Sequence, residues 1–266
     1  MHLSIFKDGK WIDTRSVGLD VLSFRKSSLS VKNEYESVEG KNGMIPAGTT
    51  WEGRDLTADF LIRANDHVDL VLFIDELMTL FTTKEEMGLV DSRSPGKVWF
   101  VKVDSTFTPE FVDLSTGKFT INFKSSKPWC RSIGRTYPAI DFENTEWQGL
   151  VTEPLTYKSK SKRFRIFNGG VQVDPREMPL DIVFKGASSN LQIINSTTGD
   201  LFTYKGTTKA NDELHLAGIR HLKNGISIFA ETNRKRITLA PGWNDIEIKG
   251  TSGAIETSFD FHFWYV

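Results

Sequence analysis

The chain has 266 residues, 39% of them hydrophobic and 25% charged, which allows a packed core and excludes wholesale disorder. Its formal net charge of -1 removes any bulk electrostatic case for nucleic acid or an acidic membrane as the main partner. A single cysteine, Cys130, excludes an internal disulfide, so the fold does not depend on an oxidising compartment.

The first segment, "MHLSIFKDGKW", lacks the apolar core of a secretory signal, because Lys7 and Asp8 interrupt it. Asn42-Gly43 marks a turn. "DLTADFLI" then puts Leu56, Ala58, Phe60 and Ile62 on one face of a strand.

Residues 67–82 break the β pattern. Leu70, Phe73, Ile74, Leu77, Leu80 and Phe81 follow helical spacing, and Asp66 can cap the first turn. Val71, Leu72 and Met78 widen the apolar stripe. So wide a stripe suits a helix that packs on one sheet and on a second surface, either another sheet or a neighbouring subunit. Leu70, Phe73, Ile74, Leu77 and Phe81 are the candidate subunit-contact residues. The longest uninterrupted apolar run, Leu70–Ile74, is far too short to span a bilayer.

"KVWFVKV" is apolar on both faces, as a central strand covered from two sides would be. "KFTINFK" alternates, with Phe119, Ile121 and Phe123 together. Periodicity weakens over residues 125–160, which predicts two domains, 1–134 and 135–266. Beyond that point turn dipeptides recur: Gly169-Gly170, Gly199-Asp200, Asn224-Gly225, Pro241-Gly242 and Ser252-Gly253. Short strands at that spacing predict a β-sandwich or barrel. The fold class expected is mainly β, with two sandwich-like domains and one helix packed in the first.

The last strand, "AIETSFDFHFWYV", aligns Ile255, Thr257, Phe259, Phe261, Phe263 and Tyr265. Glu256, Asp260, His262 and Trp264 would share the other face. Carboxylates, an imidazole and an indole together can hold a sugar, so Asp260, His262 and Trp264 are candidates for a weak sugar-binding face. The plainer reading is the outer face of a sandwich strand.

No arrangement for catalysis is found. There is no G-x-S-x-G elbow, no phosphate-cradling loop and no paired carboxylates suited to glycoside hydrolysis. His215 and His221 stand six apart and read as surface groups, and one cysteine cannot complete a zinc site. Cys130 has Arg131 beside it but reads as a structural thiol. The basic run "YKSKSKRFRIF" reads as a solvated edge strand whose lysines block unwanted pairing. Neither enzymatic activity nor a cofactor nor a metal is expected.

In order and spacing, "VEGKNGMIPAGTTWEGRDLTADFLI", the helix ending "DELMTLF", "SPGKVWFVKV" and "GKFTINFKSSKPW" resemble the N-terminal half of the distal tail proteins of long-tailed phages that infect Gram-positive bacteria. Gly40, Gly43, Gly48, Arg54 and Phe60 carry the match, with Pro95-Gly96 and Pro128 downstream. "NGGVQVDP", "NLQIINSTTGDLFTYKG", "NDELHL" and "LAPGWNDIEIKG" resemble the second half. Glu39 replaces a proline frequent in the family, and Ala217 an acid.

The resemblance implies a non-enzymatic virion protein. The first domain would form a ring, typically a hexamer, at the distal end of the tail tube. The second would be a peripheral sandwich, similar to galectins and carbohydrate-binding modules. Implied partners are further copies of the chain, the tail tube protein, a tail-associated fibre or lysin protein, and in some cases a receptor-binding protein. Neither a membrane nor sequence-specific nucleic acid is among them. Assembly would take place in the cytoplasm of the bacterial host, from a phage or prophage genome, without a signal peptide. The competing reading is a carbohydrate-binding protein that recognises the host surface through the C-terminal sandwich.

Overall fold

In the computed structural model, which describes residues 1–137, 147–151 and 155–266, the chain forms two units, Met1–Cys130 and Arg131–Tyr265.

The first unit is built from β1 (Leu3–Lys7), β2 (Lys10–Asp13), β3 (Leu19–Lys26), β4 (Val31–Ser37), β5 (Met44–Trp51), β6 (Arg54–Arg63), α1 (His67–Phe81), β7 (Met87–Asp91), β8 (Lys97–Val103), β9 (Glu110–Phe111) and β10 (Thr116–Ser125). Neighbours run β2-β1-β7-β8-β10-β6-β3, with β9 beside β10 and β4–β5 a separate hairpin. The alternation legible in β6 and β10 is realised in full. Leu56, Ala58, Phe60 and Ile62 are buried, as are Phe119, Ile121 and Phe123. β8 lies between β7 and β10 and buries Val98, Trp99 and Val101.

Helix α1 starts where Asp66 accepts from the Asp69 N–H at 2.8 Å, while the Asp69 carboxylate accepts from the Asn65 N–H at 2.9 Å. The Asp69 N–H would otherwise be an orphan of the first turn. At the other end, Lys7 from β1 donates to the carbonyls of Thr79 and Leu80, each at 2.8 Å. A cation there also opposes the negative end of the helix dipole. Phe81 packs its ring on Phe60 (5.6 Å between centroids) and Phe123 (6.1 Å), which fixes the helix against β6 and β10. Full burial of each such side chain stabilises the fold by about 1.5–3 kcal/mol.

The second unit holds β11 (Cys130–Ser132, starting at the boundary), β12 (Lys158–Ser159), β13 (Arg163–Asn168), β14 (Leu180–Asn195), β15 (Asp200–Thr208), β16 (Glu213–Ala217), β17 (Arg220–Lys223), β18 (Ile226–Ser227), β19 (Gly242–Phe261) and β20 (Trp264–Tyr265). β14 and β19 are long, antiparallel to each other, and bent. The start of β19 pairs with β13 and with the end of β14, which also carries β15. The end of β19 pairs with β12 and with the start of β14, which also carries β16, followed by β17 and β18. The two halves form layers that face each other. Phe202 of β15 meets His221 of β17 at 4.9 Å, and Phe164 of β13 meets Phe259 of β19 at 6.0 Å.

The bends require glycine. Register shifts between Gly186 and Ala187 and again between Ser188 and Gln192. Gly250 has φ +77°, and a Cβ there would lie 2.5 Å from the Asn190 carbonyl oxygen. Ser252-Gly253, expected to be a turn between strands, instead lies inside β19 at its corner, where Ser252 still pairs with Ala187. Asn224-Gly225 is a true two-residue hairpin turn. Both residues have positive φ, +50° and +81°, as the twist of the flanking strands demands.

The turn before β19 is held by buried asparagines. Asn244 accepts from the Ala240 N–H and donates to the Ala240 carbonyl, both at 2.8 Å. Asn168 donates to the Val171 carbonyl at 2.7 Å and accepts from the Gly170 N–H at 3.1 Å. The Gly169-Gly170 and Pro241-Gly242 turns are therefore each clamped by an amide side chain one or two residues away.

Candidate functional site

β4 and β5 stand out because nothing in the described residues covers them. Every residue of both strands is exposed. The hairpin is inserted between β3 and β6, which are neighbours in the sheet, and so prolongs that pair. Its base is fixed by the Glu52 N–H to the Ser30 carbonyl (3.0 Å) and by Arg54 Nε to the Ser27 carbonyl (2.7 Å). From there eight residues of β5 reach ~25 Å at the usual rise per residue.

The hairpin has two unlike faces. Register sets Val31 opposite Trp51, Tyr35 opposite Pro46 and Ser37 opposite Met44 on one face. Lys32, Glu34, Glu36 and Ile45 lie on the other, and the hydrogen-bonded pair Asn33 and Thr49 stands between the apolar pairs on the first. Val31, Tyr35, Met44 and Trp51 are between 46% and 67% exposed, so an apolar stripe is turned to solvent. A two-stranded hairpin is marginal alone, and an apolar stripe of this kind marks a contact surface. The sequence signal was present in the alternation of "VKNEYES" and the Asn42-Gly43 turn. It was missed because alternation does not say whether the apolar face is covered.

The helix places its residues differently from the expectation. Leu70, Leu77 and Phe81 are buried in the core of their own unit, and Phe73 and Ile74 are half-buried. Those five were candidate subunit contacts. Leu70, Leu77 and Phe81 are instead core residues, because they face β6 and β10. The apolar side chains that α1 leaves exposed are Val68, Val71 and Leu72.

The last strand also corrects the sequence reading. Phe259, Phe261 and Phe263 are fully buried, as expected. His262 and Trp264 are only 4% exposed, so the opposite face is covered too. Residues 131–137 cover it. The Ser132 N–H donates to the Phe263 carbonyl at 2.7 Å, and the Thr136 N–H to the Phe261 carbonyl at 3.0 Å. Arg131 donates to His262 Nε2 at 2.7 Å, which leaves Nδ1–H to donate to the Gly134 carbonyl at 2.9 Å. That network assigns the neutral tautomer. Burial, reinforced by Arg131, pushes the His262 pKa down from 6.5 to about 4.

Asp260 is held by Arg135, whose Nε donates to it at 2.7 Å while Nη2 reaches Asp181 at 2.7 Å. Burial raises the Asp260 pKa despite that arginine. Asp260, His262 and Trp264 therefore do not form an open face on which a sugar ring could stack.

The remaining candidates are structural. His221, read from the sequence as a surface group, is buried. It bonds through Nδ1 to Thr232 at 3.1 Å, and burial lowers its pKa. His215 is half-buried beside Asp181 at 3.1 Å. Cys130 is buried, and desolvation pushes its thiol up to about 11, away from reactivity. In the basic run, Lys158 pairs with Glu256 (2.8 Å), Arg163 with Glu247 (2.6 Å), and Arg165 lies over Trp243 (4.6 Å). Among the described residues, no three His, Cys, Asp or Glu side chains form a group that could hold a metal ion. Nor is any helix long and apolar enough to cross a membrane.

The architecture of the first unit is that of a phage tail protein. Residues 12–125 match the family described as the phage tail protein RIFT-related domain, and that segment belongs to it. The whole chain shares the fold of a solved phage protein. It superposes on the Dit protein (gp 19.1) of phage SPP1, described as a paradigm of the hub adsorption apparatus in Gram-positive-infecting phages. The TM-score is 0.68 at 14% identity, covering 98% of this chain and 99% of that one. A chain of the phage P2 baseplate in its activated conformation is matched at TM-score 0.44 and 10% identity over 97% of each chain, a likeness too low to carry an argument. No curated protein matches the sequence significantly.

Proposed function

We propose that this chain is the ring-forming structural subunit at the distal end of a phage tail. Six copies would close through their first units, residues 1–134, and residues 135–266 would lie at the periphery. The ring would join the tail tube protein to a tail-associated fibre or lysin protein and, through that tip, to a receptor-binding protein. Its place is the virion tail, assembled in the cytoplasm of the bacterial host.

The observation that carries this reading is the β4–β5 hairpin. Its apolar face of Val31, Tyr35, Met44 and Trp51 is bare in a single copy. A head-to-tail contact that covers such an arm in each subunit gives a ring when its rotation closes. The phage tail domain over residues 12–125 and the fold shared with the SPP1 protein support the same reading. The carbohydrate-binding alternative loses its proposed face, since His262 and Trp264 are buried.

Light scattering and negative-stain images of concentrated protein test it. Closed rings are expected, and replacing residues 31–51 by a short turn should leave a folded monomer that no longer forms them. Open filaments, a stable two-fold dimer, or rings that survive the deletion would overturn the proposal.

A further inference from the structure

A groove on the second unit gathers more cations than carboxylates: Arg176, Arg220, Arg234, Lys235 and Arg236 against Asp174 and Asp200. Two adjoining depressions, of about 720 and 580 Å³, share Arg176, Arg234 and Arg236 in their walls. Arg220, Lys235 and Arg236 form no ion pair among the described residues. Asp174 is forked by Arg176, and Asp200 accepts from the hydroxyls of Thr198 and Thr238. In a chain of net charge -1 this is a local excess of positive charge.

The segment that carries it is pinned and strained. The Asn233 side chain donates to the Leu201 carbonyl at 2.8 Å and accepts from the Thr203 N–H at 3.1 Å. Arg234 follows with φ +58°, a backbone region where glycine or asparagine is usual. Strain of this kind persists where the surroundings impose it, and it clusters at binding sites. It lays the Arg234 guanidinium over the Phe229 ring, 5.8 Å from its centroid.

We propose that this groove binds a linear phosphodiester polymer. Its phosphates would sit on Arg220, Lys235 and Arg236, and its carbon linkers would pass over Ile219 and Phe229. Guanidinium groups match phosphate oxygens two at a time. Continuity of the two depressions favours a chain over a single ion. Exposed Ile219 and Phe229 supply an apolar floor for linkers. A nucleic acid is disfavoured, because base stacking needs free ring faces, and of the two rings lining this floor His221 is buried and Phe229 is partly exposed with one face under Arg234.

The test uses the full chain and a short abasic oligodeoxynucleotide, a phosphodiester chain without bases, followed by fluorescence anisotropy. Saturable binding is expected at physiological salt, with Kd on the order of 10–100 µM and a log–log salt slope of about -2 for three contacts. The double variant Lys235→Gln/Arg236→Gln should weaken binding at least about tenfold and reduce the slope to about -0.7. Both side chains reach solvent, so its thermal midpoint should not move. Arg234→Gly should lose affinity without losing stability, since glycine relaxes φ +58°. Lys160→Gln/Lys162→Gln, in the other basic run, should bind like the parent. Absence of saturable binding overturns the proposal. So does equal binding of oligoglutamate of the same charge, tighter binding of the same oligonucleotide with its bases, or unchanged affinity in the Lys235/Arg236 variant.

Discussion

Asn195 donates its side-chain amide to Asn244 Oδ1 at 2.9 Å, and both residues are completely buried. Asn195 also donates to the Thr238 carbonyl at 2.8 Å, so the pair ties the end of β14 to the turn that launches β19. Asn244→Ala strands the Ala240 N–H and carbonyl and the Asn195 amide in the interior. At about 1–3 kcal/mol for a group left unsatisfied, we expect a loss of roughly 3 kcal/mol in the stability of the second unit. Thermal unfolding of a calibrated variant series measures it, and a shift of less than 2 °C would refute the role given to Asn244.

Lys7 closes the C-terminal end of α1 from a strand 72 residues upstream of Thr79. Lys7→Met keeps the aliphatic stem and removes the donors. We expect the first unit to lose about 1 kcal/mol, with the loss shrinking at high salt because part of it is the dipole interaction. Urea titrations at low and high salt separate the two parts.

Leu77 and Leu72 lie on the same helix and should respond in opposite ways to a charge. Leu77 is 2% exposed and Leu72 is 60% exposed. Leu77→Asp buries an unpaired carboxylate and costs several kcal/mol, on the order of a domain's whole margin. Leu72→Asp should leave stability within about 0.5 kcal/mol of the parent. Equal destabilisation by both substitutions would contradict the helix register.

His262 makes the second unit sensitive to mild acid. Its pKa is about 4 in the folded chain and 6.5 when free, so the folded state disfavours the proton that the unfolded state accepts. Stability from this group is intact above pH 6.5 and is lost as pH falls towards 4, by about 3 kcal/mol in all. His262→Gln should flatten the dependence over that window. Unfolding midpoints of parent and variant at pH 7 and pH 4.5 check the sign and the size.

Strands β6 and β10 of the first unit were legible because each buries one face, and burial of one face imprints a period of two. Phe119, Ile121 and Phe123 show it, as do Leu56, Ala58, Phe60 and Ile62. The helix was legible from its spacing and its Asp66 cap. Burial by another part of the chain was not legible. His262 and Trp264 look like an outer face until residues 131–137 are laid over them, and no local pattern announces that cover. The same gap hid the hairpin, whose apolar face matches that of a buried strand, and the groove, whose cations Arg176, Arg220 and Arg236 are far apart in sequence. "NRKR" at 233–236 was the accessible clue, as three adjacent cations with no acid among them.

The two bent strands of the second unit have a mechanical consequence. β14 and β19 each pass through both layers, so neither layer can be peeled away without dragging the backbone of the other. A pull on one layer is carried along covalent chain into its counterpart. It must then shear the long ladder from Leu180–Phe261 to Asn195–Ile246 as a whole rather than open it rung by rung. A body built this way yields late and all at once, and passes a load across itself with little stretch.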